Sequence, residues 1–312
     1  MGIEHVGYRR GFAALVVLLC ASIFLPGKCN AGFSLGDASH YAVLYEGAGS
    51  HNLQINSSPI TNNGGSTIKG DIGLGSLSNG NPQAQFNNPA VITGNINFAS
   101  PTASLNVGNA TVHGTTNSGI SQVNTDLIAL NSLSFTLGGE AGTALAISIG
   151  NNATQTVNAA SGTLDGSGND VFTVSSMSFV NGATLIINGS ASQFVVLNFN
   201  FNTHFAGDIK LTGGITPDQV LFNVIGGMNL TGGDTLQFAA NNVDQSGTFL
   251  DPNGTITENS VNITGHVFGG DASDMQIVSG GTVTVPEPSS YALVLSALGI
   301  LGAAVRSRAA KK

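Results

Sequence analysis

Ile68-Lys69-Gly70-Asp71-Ile72, Ile92-Thr93-Gly94-Asn95-Ile96 and Val112-His113-Gly114-Thr115-Thr116 share one pattern: a β-branched aliphatic, any residue, glycine, any residue, and usually a second aliphatic. A fourth copy, Ile263-Thr264-Gly265-His266-Val267, lies far downstream. The first three are offset by 24 and 20 residues, a spacing suited to the coils of a β-solenoid. In such a fold each coil supplies short strands whose inward aliphatics stack on those of the coils above and below. The glycine lets the backbone turn or approach closely at a corner. A sandwich of short strands is the alternative architecture.

Working outward from the motif, Tyr41–Tyr45 (YAVLY) and Leu53–Ile55 read as strands on either side of a glycine-rich turn. From Gln193 to Asn202 the chain alternates Val195, Leu197, Phe199 and Phe201 with Asn198, Asn200 and Asn202, which predicts apolar side chains inward and amides outward. Outward asparagines in successive coils would form amide ladders. Residues 248–270, with a turn at Asp251-Pro252-Asn253-Gly254, are expected to close the last coils. One segment breaks the β pattern: Ile120, Val123, Leu127, Leu130 and Leu133 recur every three or four residues. That spacing predicts a single helix over 118–133, capped by Ser118, ended by Gly138 and Gly139, and laid along the β core.

The two ends of the chain have a different composition. Arg9 and Arg10 precede the apolar run Phe12–Leu25, and Cys29-Asn30-Ala31 offers a small-residue cleavage site, so residues 1–31 read as a secretory signal peptide. Lys28, directly before Cys29, argues against lipidation. At the other end come Pro286, Glu287 and Pro288, an apolar run over 291–305, then Arg306, Arg308, Lys311 and Lys312. Fifteen helical residues reach only about 22 Å against a hydrocarbon core of roughly 30 Å, short for a permanent anchor. Basic residues flank both apolar runs on the side that stays cytoplasmic, which places residues 32–284 outside. The expected organisation is a signal peptide over 1–31, a solenoid passenger over 32–270, a linker over 271–284 and a tail over 285–312.

Of the 17 acidic residues only Glu4 and Glu287 lie outside residues 32–284, and of the nine basic residues only Lys69 and Lys210 lie inside, a formal charge of −13 without arginine. Such a surface cannot neutralise phosphates, so nucleic acid is excluded as a partner. It also excludes a β-helical polysaccharide lyase, which needs basic residues to abstract a proton and neutralise a uronate. Both cysteines leave with the signal peptide, so the exported part forms no disulfide and its stability rests on core and backbone pairing.

Asp165-Gly166-Ser167-Gly168-Asn169-Asp170 has oxygen ligands at alternate positions, but Asp170 and Ser176 stand where a calcium loop needs Gly and Glu, so it reads as a polar turn. The histidines have neither zinc spacing nor neighbouring cysteines. There is no G-x-S-x-G elbow, and no pair of carboxylates is nominated by spacing for glycosidase chemistry. No catalytic residue, cofactor or metal site is expected.

Two resemblances add to this reading. The triplet, apolar run and basic end closely resemble the PEP-CTERM sorting tail of exported Gram-negative proteins. That resemblance implies transient anchoring in the inner membrane and recognition of Pro286-Glu287-Pro288 by a membrane-embedded exosortase, with Arg306, Arg308, Lys311 and Lys312 as the membrane stop. Leu35-Gly36-Asp37, Tyr41-Ala42-Val43-Leu44, Gly70-Asp71-Ile72-Gly73, the lone helix and the segment 247–265 resemble the ice-binding-like adhesive domains of bacterial surface proteins. Those are discontinuous β-solenoids with a helix along one side. Together they imply an exported, non-enzymatic structural or adhesive protein of the cell surface or extracellular matrix, with an extracellular polysaccharide or another cell-surface ligand as partner. Ice binding is the first alternative and a polysaccharide-active β-helix enzyme the second. Against ice binding, Thr255-Ile256-Thr257 and Thr282-Val283-Thr284 stand isolated in the sequence, and Lys69 points outward beside Ile68.

Overall fold

The computed structural model describes residues 32–286, except 48–50, 57–64, 78–82, 88, 226–234, 253 and 271–273. The signal peptide, Glu287, Pro288 and the tail beyond them therefore lie outside the described residues. Short strands, paired almost entirely in parallel, wind into a β-solenoid with three sides. The quoted motif forms one of its corners. Ile68 pairs with Ile92 and Ile92 with Val112 on one side of the corner, and Ile72 pairs with Ile96 on the other.

The motif's glycine and the residue after it have separate tasks. A Cβ on Gly94 would strike the carbonyl of Gly70, and one on Gly114 would strike that of Gly94. The following polar residue ties successive coils: Asn95 N donates to Asp71 Oδ1 (2.7 Å), and Thr115 N donates to Asn95 Oδ1 (3.0 Å). The fourth copy joins the same column from elsewhere in the chain, because Ile263 pairs with Val283 and Val283 with Ile68. Chain order and stacking order therefore differ. Residues 143–269 build one half-stack and residues 52–118 the other. The coil between them is assembled from both ends of the passenger, Met275–Val278 and Thr282–Thr284 on two sides and Tyr41–Tyr45 on the third.

Two sequence expectations are corrected here. Residues 271–284 are not a linker, since Met275–Val278 and Thr282–Thr284 are strands bonded on both edges, with Met275, Ile277 and Val283 fully buried. Residues 248–270, expected to close the last coils, belong to the strands Thr235–Asp251 and Thr255–Gly269, which run through the middle of the stack. Both errors have one cause: hydrophobic period identifies a strand but not which strand it pairs with.

The helix spans Gln122–Gly138, four residues later than expected at its start and five later at its end. Ser118 does not cap it, because it belongs to the strand Thr116–Ser118 and pairs with Phe98, so tertiary pairing overrides the capping preference. Val123, Leu127, Leu130 and Leu137 pack on Leu44, Val196, Leu221, Leu250 and Phe268, outward residues of the side the helix covers. Their neighbours Leu197, Phe222, Phe249 and Val267 point inward in one ladder. The amides of this side face outward as expected but are buried beneath the helix. Asn223 Nδ2 donates to Asn198 Oδ1 (2.8 Å) and to the Ser134 carbonyl (3.1 Å), while Asn198 Nδ2 donates to the Leu137 carbonyl (2.7 Å). Leu137 is among the last four residues of the helix, whose carbonyls have no i+4 partner within it, and the Asn198 amide supplies a donor there.

Candidate functional site

Because one side is covered by the helix, function falls to the other two sides and to the point where the chain leaves the solenoid. The first open side is built from residues 203–205, 235–239, 255–259, 275–278, 52–56, 83–86 and 105–106. Strand alternation turns Phe205, Phe238, Ile277, Ile55 and Phe86 inward and leaves one continuous outward row: His204, Gln237, Thr257, Gln276, Gln54, Gln85 and Asn106. Among the described residues this row carries no carboxylate, lysine or arginine. Gln54 Nε2 donates to Asp274 Oδ2 (2.6 Å) at its margin.

The second open side presents two rows in register. One runs Asn262, Thr282, Thr67, Val91 and Thr111, the other Thr264, Thr284, Lys69, Thr93 and His113. Thr282-Val283-Thr284 is thus not isolated: Asn262-Ile263-Thr264 and Thr67-Ile68-Lys69 flank it in space although they are remote in sequence. Lys69 does point outward, as expected. Lys210 is on this side too, 3.2 Å from Asp208.

The buried polar groups are structural ties. His266 is fully buried, its Nδ1 donating to the Tyr41 carbonyl (2.6 Å) and its Nε2 lying 3.1 Å from Asp218 Oδ1. With both ring nitrogens engaged, this pair pins the strand Tyr41–Tyr45 to the turn Pro217–Gln219. Burial pushes the Tyr41 hydroxyl up to about 12, its bond with Asn97 pulling the other way. Asp165 closes its own loop, Oδ1 accepting from Ser167 N and Asn169 N (2.8 Å each), so the carboxylate is used as in a polar turn.

Glu258 is different. It occupies an inward position between Phe238 and Ile277, fully buried, and its one partner shown is Val261 N, which donates to Oε1 (2.6 Å). Oε2 has no hydrogen-bond partner among the described residues and lies against Gly281. Desolvation raises its pKa well above the ordinary glutamate value, opposed by the bond from Val261. Below the ordinary carboxylate range the group is neutral in both folded and unfolded chains and is without effect on stability. As pH rises between that range and the raised folded value, only the unfolded chain ionises, so stability falls. Glu258→Gln should therefore melt higher than the parent near neutral pH, with the gap closing in acid; thermal unfolding across pH checks this.

At the exit point, Val285 occupies the corner column between Gly265 and Gly70, and Pro286 lies in a groove with Phe194, Pro217, Asp218 and Gln219. Phe33, at the start of the described chain, stacks edge-on against the same Phe194 at 5.6 Å. Both ends of the passenger thus meet at one corner. Of the expected site residues only Pro286 is described; Glu287, Pro288, Arg306, Arg308, Lys311 and Lys312 lie outside. No helix among the described residues is long and apolar enough to cross a membrane, and the run 291–305 is not among them.

Residues 284–309 match the PEP-CTERM protein-sorting motif. The chain carries a PEP-CTERM sorting signal. That signal implies export, transient membrane anchoring and processing by an exosortase. A search of curated protein sequences found no match. The solenoid is similar to solved structures of ice-binding proteins. One, from an Antarctic bacterium of the Flavobacteriaceae, has a TM-score of 0.53 and 20% identity over 83% of this chain and 48% of that one. Another is LeIBP from an Arctic yeast, with a TM-score of 0.50 and 16% identity over 83% and 97% of the two chains. A third is the DUF3494 domain of Shewanella frigidimarina ice-binding protein 1, with a TM-score of 0.50 and 14% identity over 82% and 98%. At these identities the likeness shows the fold: a mainly β solenoid with one helix alongside, ahead of the sorting signal.

The sequence-based reading located the corner, the helix and the sorting signal but missed both outward rows. The only local signal for them is alternation within strands of three to five residues, such as Asn52–Asn56 and Thr282–Thr284.

Proposed function

We propose that this protein is a structural or adhesive component of the cell surface or extracellular matrix, staged at the inner membrane by its sorting signal and binding a neutral polysaccharide through the row from Gln237 to Asn106. The supporting observation is the row itself: amides and hydroxyls repeat along the stack at about 4.8 Å per strand. Gln85 and Gln276 have amides without a partner among the described residues. A passenger of formal charge −13 repels polyanions, which leaves uncharged polymers as the favoured class. Each contact is weak, and many in register give avidity. Glycan-array binding by residues 32–286 should be lost in Gln54→Ala/Gln85→Ala/Gln276→Ala without a lower melting temperature. Unchanged binding by that variant, or release of shortened sugars by the parent, would refute the reading.

A second reading, ice binding, is favoured by the other open side. Its threonine-rich rows are in register, with Lys69 their one lysine, and the fold is shared with ice-binding proteins. Thermal hysteresis by the parent, enlarged in Lys69→Thr, would give this reading precedence over the first.

A further inference from the structure

The sorting signal begins where the solenoid ends, with no spacer between them. Thr282–Thr284 is bonded on one edge to residues 262–264 and on the other to Thr67–Lys69. The pairing continues one residue further, since Val285 N donates to the Lys69 carbonyl (3.0 Å). Val285 also packs on the core and abuts Gly70, and Pro286 sits in the groove beside Phe194 and Pro217. A peptide-cleaving enzyme takes its substrate as an accessible, locally unfolded strip, whereas a strand hydrogen-bonded on both edges has no free backbone to offer.

We propose that Thr282–Thr284, extended by Val285, is a latch that holds the start of the sorting triplet against the folded passenger, so that the membrane enzyme cuts only when this strand leaves the sheet. This rests on the reading that the triplet is processed. In the cut itself one peptide bond near the triplet breaks: the passenger carbonyl passes to water or another nucleophile, and the tail departs with the amine and a proton. The latch governs access to that bond and takes no part in the chemistry. It also completes the fold, because residues 275–285 fill two of the three sides of the coil that joins the half-stacks, Leu53 pairing with Met275 across almost the whole chain, while Tyr41–Tyr45 fills the third. Folding and protection of the processing site are thereby the same event.

The test uses the full chain in inner membranes containing the processing enzyme. Lys69 and Thr284 are neighbours in register, about 4.8 Å apart and within reach of a disulfide, and the exported part has no cysteine of its own. In Lys69→Cys/Thr284→Cys, oxidation should slow tail loss about tenfold or more, and a reductant should restore it. The control Ser246→Cys/Thr264→Cys, on neighbouring strands that do not include the latch, should process alike in both states. A flexible Gly-Ser spacer between Val285 and Pro286 should speed processing of the otherwise unaltered chain. Equal tail loss by the oxidised and reduced latch pair would overturn the latch alone. A parent chain that never loses its tail, and behaves like a variant with the triplet replaced by alanines, would overturn the processing reading and the latch with it.

Discussion

A chain that stops at Gly270 should fail to fold. The expectation is strong because residues 275–284 supply two of the three sides of the coil joining the half-stacks. Without them Ile256 and Leu53 lose Met275 from between them, and Ile263 and Ile68 lose Val283. Met275, Ile277 and Val283 are fully buried, and burial of three such side chains contributes about 5–9 kcal/mol. That is a large part of the 5–15 kcal/mol typical of a whole domain. The truncation also bares backbone edges of three strands, Thr255–Gly269, Asn52–Asn56 and Thr67–Lys69, which invites aggregation. Circular dichroism and thermal unfolding of chains ending at Gly270 and at Val285 provide the comparison. The longer one should melt cooperatively, and cooperative melting of the shorter one at a similar temperature would mean that these strands only decorate the fold.

The sequence shows why that stretch reads as a linker. Between Gly270 and Val285 only Met275, Ile277, Val278 and Val283 are large and apolar among many glycine, serine, threonine and aspartate residues, a composition equally suited to a short strand pair and to a tether. What makes them strands is a pair of open edges prepared in part by residues more than 200 positions upstream, and no local pattern reports it. The corner motif was legible because its demands are local: an aliphatic on each side, and glycine where coils touch. The helix was legible in its apolar face but not in its boundaries, since Ser118 satisfies both a cap and a strand and the neighbouring coil decides between them. The outward rows were the least legible feature. Glutamine, asparagine and threonine on an exposed strand contribute little to folding, so nothing in the core pattern singles them out, and their alignment exists only after register is set. Glu258 escaped for a similar reason: among polar residues of a β segment, only the stacking of Phe238 and Ile277 reveals that its side points inward.

Gly265→Ala should be the most damaging single substitution at the corner, and a series with two other glycines separates its causes. Gly36 has φ +56° and nothing within 4 Å of the point where a Cβ would stand. Alanine there meets only the cost of a left-handed backbone, about 1 kcal/mol. Gly94 has the opposite problem: its Cβ would collide with the Gly70 carbonyl and the Asp71 amide, backbone atoms that cannot rotate away. Two tightly paired coils would have to part, at about 3 kcal/mol. Gly265 combines both, with φ +140° and a Cβ that would run into the backbone of Gly247. It also lies next to the coil shared by both half-stacks, where displacement disturbs His266 and its ties to Tyr41 and Asp218. The costs add to about 4 kcal/mol or more, a melting shift of roughly 8–16 °C for a domain of this size. Gly36→Ala should shift it by no more than about 4 °C. Were Gly94→Ala and Gly265→Ala both as mild as Gly36→Ala, the coils could not be stacked as closely as the column of glycines requires, and the motif would mark a turn without a contact.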